Sequence, residues 1–180
     1  MKKFTFDWSA FSNRWIPFVV FLFLIGLVYL NVMNAPFVID DNAGILKNPL
    51  VGRLDSIYKY PMSAGRNTIL FISYQIGHFT PFAYRIFNLL FHFGTVTTLY
   101  LVVKRLLNKK VAFLAGVLFA IHPLLIESVT WISAVTYPQY AFFLMFALYS
   151  YLRGKESKRW YALSVIAFIF SLMSSEKAVA

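Results

Sequence analysis

Five long apolar runs, each closed by charged or polar clusters, dominate the pattern of this chain: 15–33, 86–103, 111–126, 136–152 and 160–173. A bilayer-crossing helix takes roughly 20 mostly apolar residues, so the pattern predicts an all-α polytopic membrane bundle with about five transmembrane helices. The third and fifth runs are short, and their flanking Lys and Trp side chains would reach the interface by snorkelling. A sixth uncharged stretch, 67–84, is separated from the second run by Arg85 alone and carries Ser73, Gln75, Gly77 and His78. It reads as interfacial or re-entrant, one of the interfacial helices expected in the long loop 34–85. The first run lacks a convincing small-residue cleavage site, which favours a retained anchor over a cleaved signal.

The basic residues orient this bundle. With an internal amino terminus, segments 1–14, 104–110 and 153–159 lie in the cytoplasm with eleven Lys and Arg against two acids, Asp7 and Glu156. The remaining six basic and five acidic residues fall in 34–85, 127–135 and 174–180, on the other side. That division obeys the positive-inside rule at each cytoplasmic segment.

Composition agrees with the pattern: 59% of the 180 residues are hydrophobic and only 13% charged, against about a quarter charged in soluble domains. The net charge of +10 would suggest nucleic acid in a soluble protein. Here the charges sit between apolar runs and act as topology signals, so no nucleic-acid partner is expected. Without cysteine, a disulfide framework, a thiol nucleophile and a Cys-ligated metal are excluded. The chain breaks off at Ser175-Glu176-Lys177 where a further apolar stretch begins, so it is expected to be the front part of a longer protein.

Candidate chemistry collects on the outer side. Asp40 and Asp41 follow the first run by a few residues, and adjacent carboxylates repel, which suits a base or a cation site. A solvated loop explains two neighbouring acids equally simply. His122-Pro123 marks the outer end of the third run, and Glu127 to Ile132 has the make-up of a short interfacial helix anchored by Trp131. His122 and Glu127 are two metal-compatible ligands, which is too few for a site. Arg85, Asn88 and His92, at i, i+3 and i+7, share one helix face directed at a cavity or another helix, since polar groups in hydrocarbon are costly. A cation above a cavity lined by Asn and His suits a phosphate-bearing lipid. Glu176 emerges on the same outer side. Phosphate loops, zincin patterns and nucleophile elbows do not occur.

Three motifs in order carry a resemblance: Phe37-Val38-Ile39-Asp40-Asp41 with Ile45-Leu46-Lys47-Asn48-Pro49-Leu50; His122-Pro123 spaced to Glu127-Ser128-Val129-Thr130-Trp131-Ile132; and Ser174-Ser175-Glu176-Lys177. They resemble the amino-terminal membrane region of the transmembrane and tetratricopeptide-repeat O-mannosyltransferases and their prokaryotic relatives, in the GT-C superfamily. The resemblance implies a GT-C-like bundle that takes a sugar from a polyprenyl-phosphate donor and delivers it to a protein or glycan acceptor at the extracytoplasmic face. The membrane would be a plasma membrane in a prokaryote and the endoplasmic reticulum in a eukaryote. Asp40 and Asp41 would be the catalytic pair, Asp40 the base and Asp41 its orienting partner or a ligand of a divalent cation. Arg85, His92, His122, Glu127 and Glu176 would bind donor or acceptor. Departures are Arg66-Asn67 where relatives carry Arg-Pro, Val135 where they carry Arg, and Ser174-Ser175-Glu176 where they carry Ser-Lys-Glu.

The residues alone leave two other classes open. A transporter would place ionisable groups near the middle of several spans and use both faces, whereas here they cluster at one face. A non-catalytic membrane subunit would need no chemistry at all.

Overall fold

The computed structural model describes residues 14–175, and the regular elements among them are all helical, with no strand. The order is α1 (Ile16–Tyr29), α2 (Ile39–Asp41), α3 (Asp55–Lys59), α4 (Ala64–Gly77), α5 (Pro81–Leu106), α6 (Lys109–Ala120), α7 (Ile126–Thr130), α8 (Thr136–Arg153) and α9 (Lys158–Ser174). A 3-10 turn, Leu30–Val32, extends α1, and a π turn, Asn42–Leu46, continues α2.

Local chemistry sets the ends. Pro81 opens α5, where its missing N–H is no loss and its fixed φ suits the first turn. Lys104 and Arg105 close the same helix against its dipole. Asn108 caps α6 by accepting from Lys110 and Val111 N–H groups, both at 3.0 Å, and Ser157 caps α9 by accepting from the Arg159 N–H at 3.3 Å.

Four residues of the first apolar run at intervals of four, Phe21, Ile25, Tyr29 and Met33, form one buried stripe against Val96 and Tyr100 of α5 and Ala112 and Ala120 of α6. The contact is close because α6 offers Gly116, where a Cβ would lie 2.4 Å from Phe21 Cζ. Phe21 stacks on Phe113 and meets Tyr100 edge-on, with centroids 5.8 and 5.7 Å apart. The opposite face of α1 is apolar as well yet exposed, with Val19, Leu22, Phe23 and Leu27 between 58 and 67% accessible. The same holds on α9 for Val165, Ile166, Ile169 and Phe170.

By length and composition one described helix can cross a membrane, Pro81–Leu106, or two if Lys109–Ala120 and Pro123–Thr130 form a single span bent by 49°. This is fewer than the five expected from the apolar runs. The run 111–126 is interrupted at His122-Pro123 because proline cannot continue the hydrogen-bond ladder. The helix over 136–152 includes four Tyr with Gln139 and Pro138, which lower its apolar character, while α9 has 17 residues and opens on Lys158 and Arg159. Ile16–Val32 is apolar but shorter. The stretch 67–84 contributes most of α4 and the first turn of α5; α4 packs on α5 and α9.

Candidate functional site

The break between α6 and α7 shapes the neighbourhood of Asp40 and Asp41. A bent, twice-interrupted segment leaves carbonyl groups without helical partners, and such groups must be satisfied where water is excluded. The polar face of α5 does this. Arg85, 4% exposed, donates from Nε to the Thr130 carbonyl at 2.9 Å and from its two Nη atoms to the carbonyls of Met33, Ala35 and Pro36. Asn88 donates from Nδ2 to Val129 and Trp131 carbonyls at 3.1 and 3.0 Å. His92 Nε2 lies 3.1 Å from the Ala120 carbonyl, its ring stacked on Phe119 and edge-on to Tyr29.

The shared face of Arg85, Asn88 and His92 is therefore buried, and its Arg85 and Asn88 donors are spent on backbone rather than held open above a cavity, while Asn88 Oδ1 has no hydrogen-bond partner among the described residues. Of the three, His92 borders a small void of about 130 Å³ among α5, α6, α7 and α8.

The adjacent aspartates have opposite surroundings. Asp41 is fully buried. Its Oδ2 accepts from the Val38 N–H at 3.1 Å, capping the short helix that begins there. Its Oδ1 accepts from the Ser133 N–H at 2.9 Å and from Ser133 Oγ at 2.6 Å. These charge-assisted bonds fasten the first loop to the segment after α7. Asp40, one residue back, is exposed and has no hydrogen bond or ion pair among the described residues. It lines a depression of about 350 Å³ with Val38, Glu127 and Trp131. Asp40 thus shares this depression with Glu127, and Asp41 does not line it.

The remaining expected site residues are placed as follows. His122 is exposed, and its Nδ1 accepts from the Leu124 N–H at 3.3 Å, capping the turn that Pro123 opens. It does not line the Asp40 depression. Glu176 lies outside the described residues. Among those described, no group of three His, Asp or Glu is placed to hold a metal ion; Asp40 and Glu127 are the two carboxylates that face this depression.

Arg66 is a functional candidate that the motif reading noted only as half of an altered Arg-Pro. Partly buried near the start of α4, it makes no hydrogen bond or ion pair among the described residues, and burial holds its guanidinium below the usual arginine range. A Cβ on Gly44 would lie 3.2 Å from Arg66 Nη2 and 3.4 Å from Ser133 Oγ, so the guanidinium and the hydroxyl that binds Asp41 both flank Gly44. A desolvated cation without a counter-ion is expensive. The sequence signal was available: Arg66 is the last charge before the uncharged stretch 67–84.

Residues 66–180 match the family model described as dolichyl-phosphate-mannose-protein mannosyltransferase. The human protein O-mannosyl-transferase TMTC3 is 28% identical over 173 residues, taking in 83% of this chain and 19% of that protein. The Drosophila melanogaster protein O-mannosyl-transferase Tmtc1 is 28% identical over 173 residues, with 85% and 20% covered. The mouse TMTC3 is 29% identical over 150 residues, with 73% and 16% covered. The chain spans about a fifth of the length of the curated relatives it matches. No solved structure matches. The family model begins at Arg66, downstream of the two aspartates.

Proposed function

The chain belongs to the dolichyl-phosphate-mannose-protein mannosyltransferase family, and from that premise we propose that it is a membrane glycosyltransferase, or the portion of one that carries its acidic first loop. It moves a sugar, with mannose the expected one, from a polyprenyl-phosphate donor to a hydroxyl of an extracytoplasmic acceptor. The observation that carries this reading is the division of labour between the aspartates: Asp41 is locked by Ser133 and Val38, while Asp40 is turned into a depression that it shares with Glu127.

In this reading Asp40 accepts the proton of the acceptor hydroxyl as its oxygen attacks the anomeric carbon. The bond from that carbon to the phosphate oxygen breaks, the polyprenyl phosphate departs with the electron pair, and attack from the opposite side inverts the anomeric centre. Asp41 holds the loop in register and Glu127 orients the acceptor. Arg66, a cation with no partner among the described residues, supplies charge for the phosphate as it leaves. Arg85 and His92 sit behind the site as bracing.

The five apolar runs are the spans of a multi-pass protein, with 1–14, 104–110 and 153–159 cytoplasmic and 34–85, 127–135 and 174–180 outside. Supporting this are the apolar yet exposed faces of α1 and α9, which water would penalise and acyl chains would welcome.

The test is Asp40→Asn in the full-length protein, read by transfer of radiolabelled sugar from polyprenyl phosphate in membranes. Transfer is expected to disappear while membrane insertion and thermal stability stay unchanged. Undiminished transfer would overturn the assignment.

A further inference from the structure

At the end of the bundle farthest from Asp40, the last turns of α5 and α8 and the first turns of α9 enclose a cleft of about 500 Å³. Roughly 1.5 Å of rise per residue over the 26 residues of α5 separates the two ends by about 39 Å, more than the roughly 30 Å of a bilayer core. Its walls have two characters: Arg105 and Lys155 bring cations, while Leu106, Leu152, Tyr151 and Tyr161 bring apolar and amphipathic surface. Leu106, Tyr151 and Tyr161 are 60, 58 and 56% exposed.

Charge at this end is unbalanced. Segments 104–110 and 153–159 carry Lys104, Arg105, Lys109, Lys110, Arg153, Lys155, Lys158 and Arg159 against the single acid Glu156. Glu156 is already spent, with one oxygen 2.6 Å from Arg105 Nη2 and the other 2.8 Å from Arg153 Nε. The Arg153 guanidinium is stacked 4.0 Å from the Trp160 ring centroid. Lys155 has no anion among the described residues. A soluble anion would satisfy Lys155 and leave the tyrosine and leucine walls wet. A neutral lipid would cover those walls and leave the ammonium uncompensated. One ligand class meets both demands.

We infer that this cleft binds an anionic phospholipid of the leaflet opposite Asp40, its phosphate between Arg105 and Lys155 and its acyl chains along Leu106, Leu152 and Tyr161. The inference rests on the membrane reading above and adds a second lipid site, separate from the donor site. Basic pockets of this kind on the cytoplasmic side of helix bundles hold acidic headgroups.

The experiment uses the full-length protein in detergent, titrated with phosphatidylglycerol, phosphatidylcholine or soluble glycerol phosphate and read by native mass spectrometry. Phosphatidylglycerol is expected to be retained, with the other two washed away. Lys155→Gln should weaken that binding about fivefold, the effect of one basic contact, while Lys47→Gln at the far end should not. Equal retention of phosphatidylcholine, equal retention of glycerol phosphate, or an unaffected Lys155→Gln variant would overturn the inference. A flotation assay separates the two readings: a protein that does not float with vesicles ends both, and one that floats without preferring phosphatidylglycerol ends this one alone.

Discussion

Asp41 and Ser133, 92 positions apart in the chain, are joined by two hydrogen bonds to a single carboxylate oxygen, 2.9 Å from the backbone N–H and 2.6 Å from the hydroxyl. The pair fastens the loop bearing Asp40 to the segment bearing Glu127. Hydrogen bonds to an ionised group are worth about 1.5–3 kcal/mol each, so Asp41→Asn should lower the thermal midpoint in detergent markedly, and Ser133→Ala by less. The double variant should be less destabilised than the two losses added together. Strict additivity would show that the contact does not operate.

Arg85 offers a second check. Its donors reach four backbone carbonyls on two separate segments, a fork that a lysine ammonium cannot reproduce. Arg85→Lys is therefore expected to destabilise by ~2 kcal/mol or more, visible as a lower thermal midpoint. If stability is intact and only the KM for the lipid donor rises, Arg85 binds phosphate instead.

For Arg66 the expected signs are reversed. Its burial without a partner among the described residues is an electrostatic cost, so Arg66→Met should match or exceed the parent in thermal midpoint while sugar transfer falls steeply. Placing a charge where stability disfavours it is a common signature of function. A variant that is both unstable and active would contradict this.

How far the sequence reveals this arrangement differs by residue. The start of α5 at Pro81 and the interruption at His122-Pro123 are written locally, because proline acts on its own turn. The i, i+3, i+7 spacing of Arg85, Asn88 and His92 announces a common face. What that face meets depends on carbonyls freed by a bend in another helix, which spacing does not encode. The Asp40-Asp41 pair is conspicuous in the chain, yet which carboxylate is buried is decided by Ser133, a residue with nothing to distinguish it locally. Arg66 was visible as a cation, but its lack of partners is a property of the packed state alone.

Packing of the first helix makes a steric prediction. With Phe21 Cζ 2.4 Å from where a Gly116 Cβ would stand, Gly116→Ala should cost about 1–3 kcal/mol by overpacking. Adding Phe21→Leu to Gly116→Ala should return part of the loss, as measured by thermal unfolding. A harmless Gly116→Ala would mean that α1 and α6 are farther apart.

A pH dependence follows from Glu156. Arg153 and then Arg105 hold its carboxyl below the usual carboxylate range. A carboxyl lowered on folding stabilises above its unfolded pKa of about 4.3, and the benefit is lost as pH falls through the lower folded value. The difference in thermal midpoint between the parent and Glu156→Gln should thus be present at neutral pH, shrink below about pH 4 and diminish in high salt. A difference that grows on acidification would refute the pairing.

The bonds from Arg85 and Asn88 to the Thr130, Val129 and Trp131 carbonyls, and from Ser133 to Asp41, involve four residues of the strip 129–133. Mechanically, α5, the first loop and the segment after α7 are cross-linked there by side-chain hydrogen bonds. The loop that carries Asp40 and the segment next to Glu127 are thereby tied to the same face of α5 and to each other.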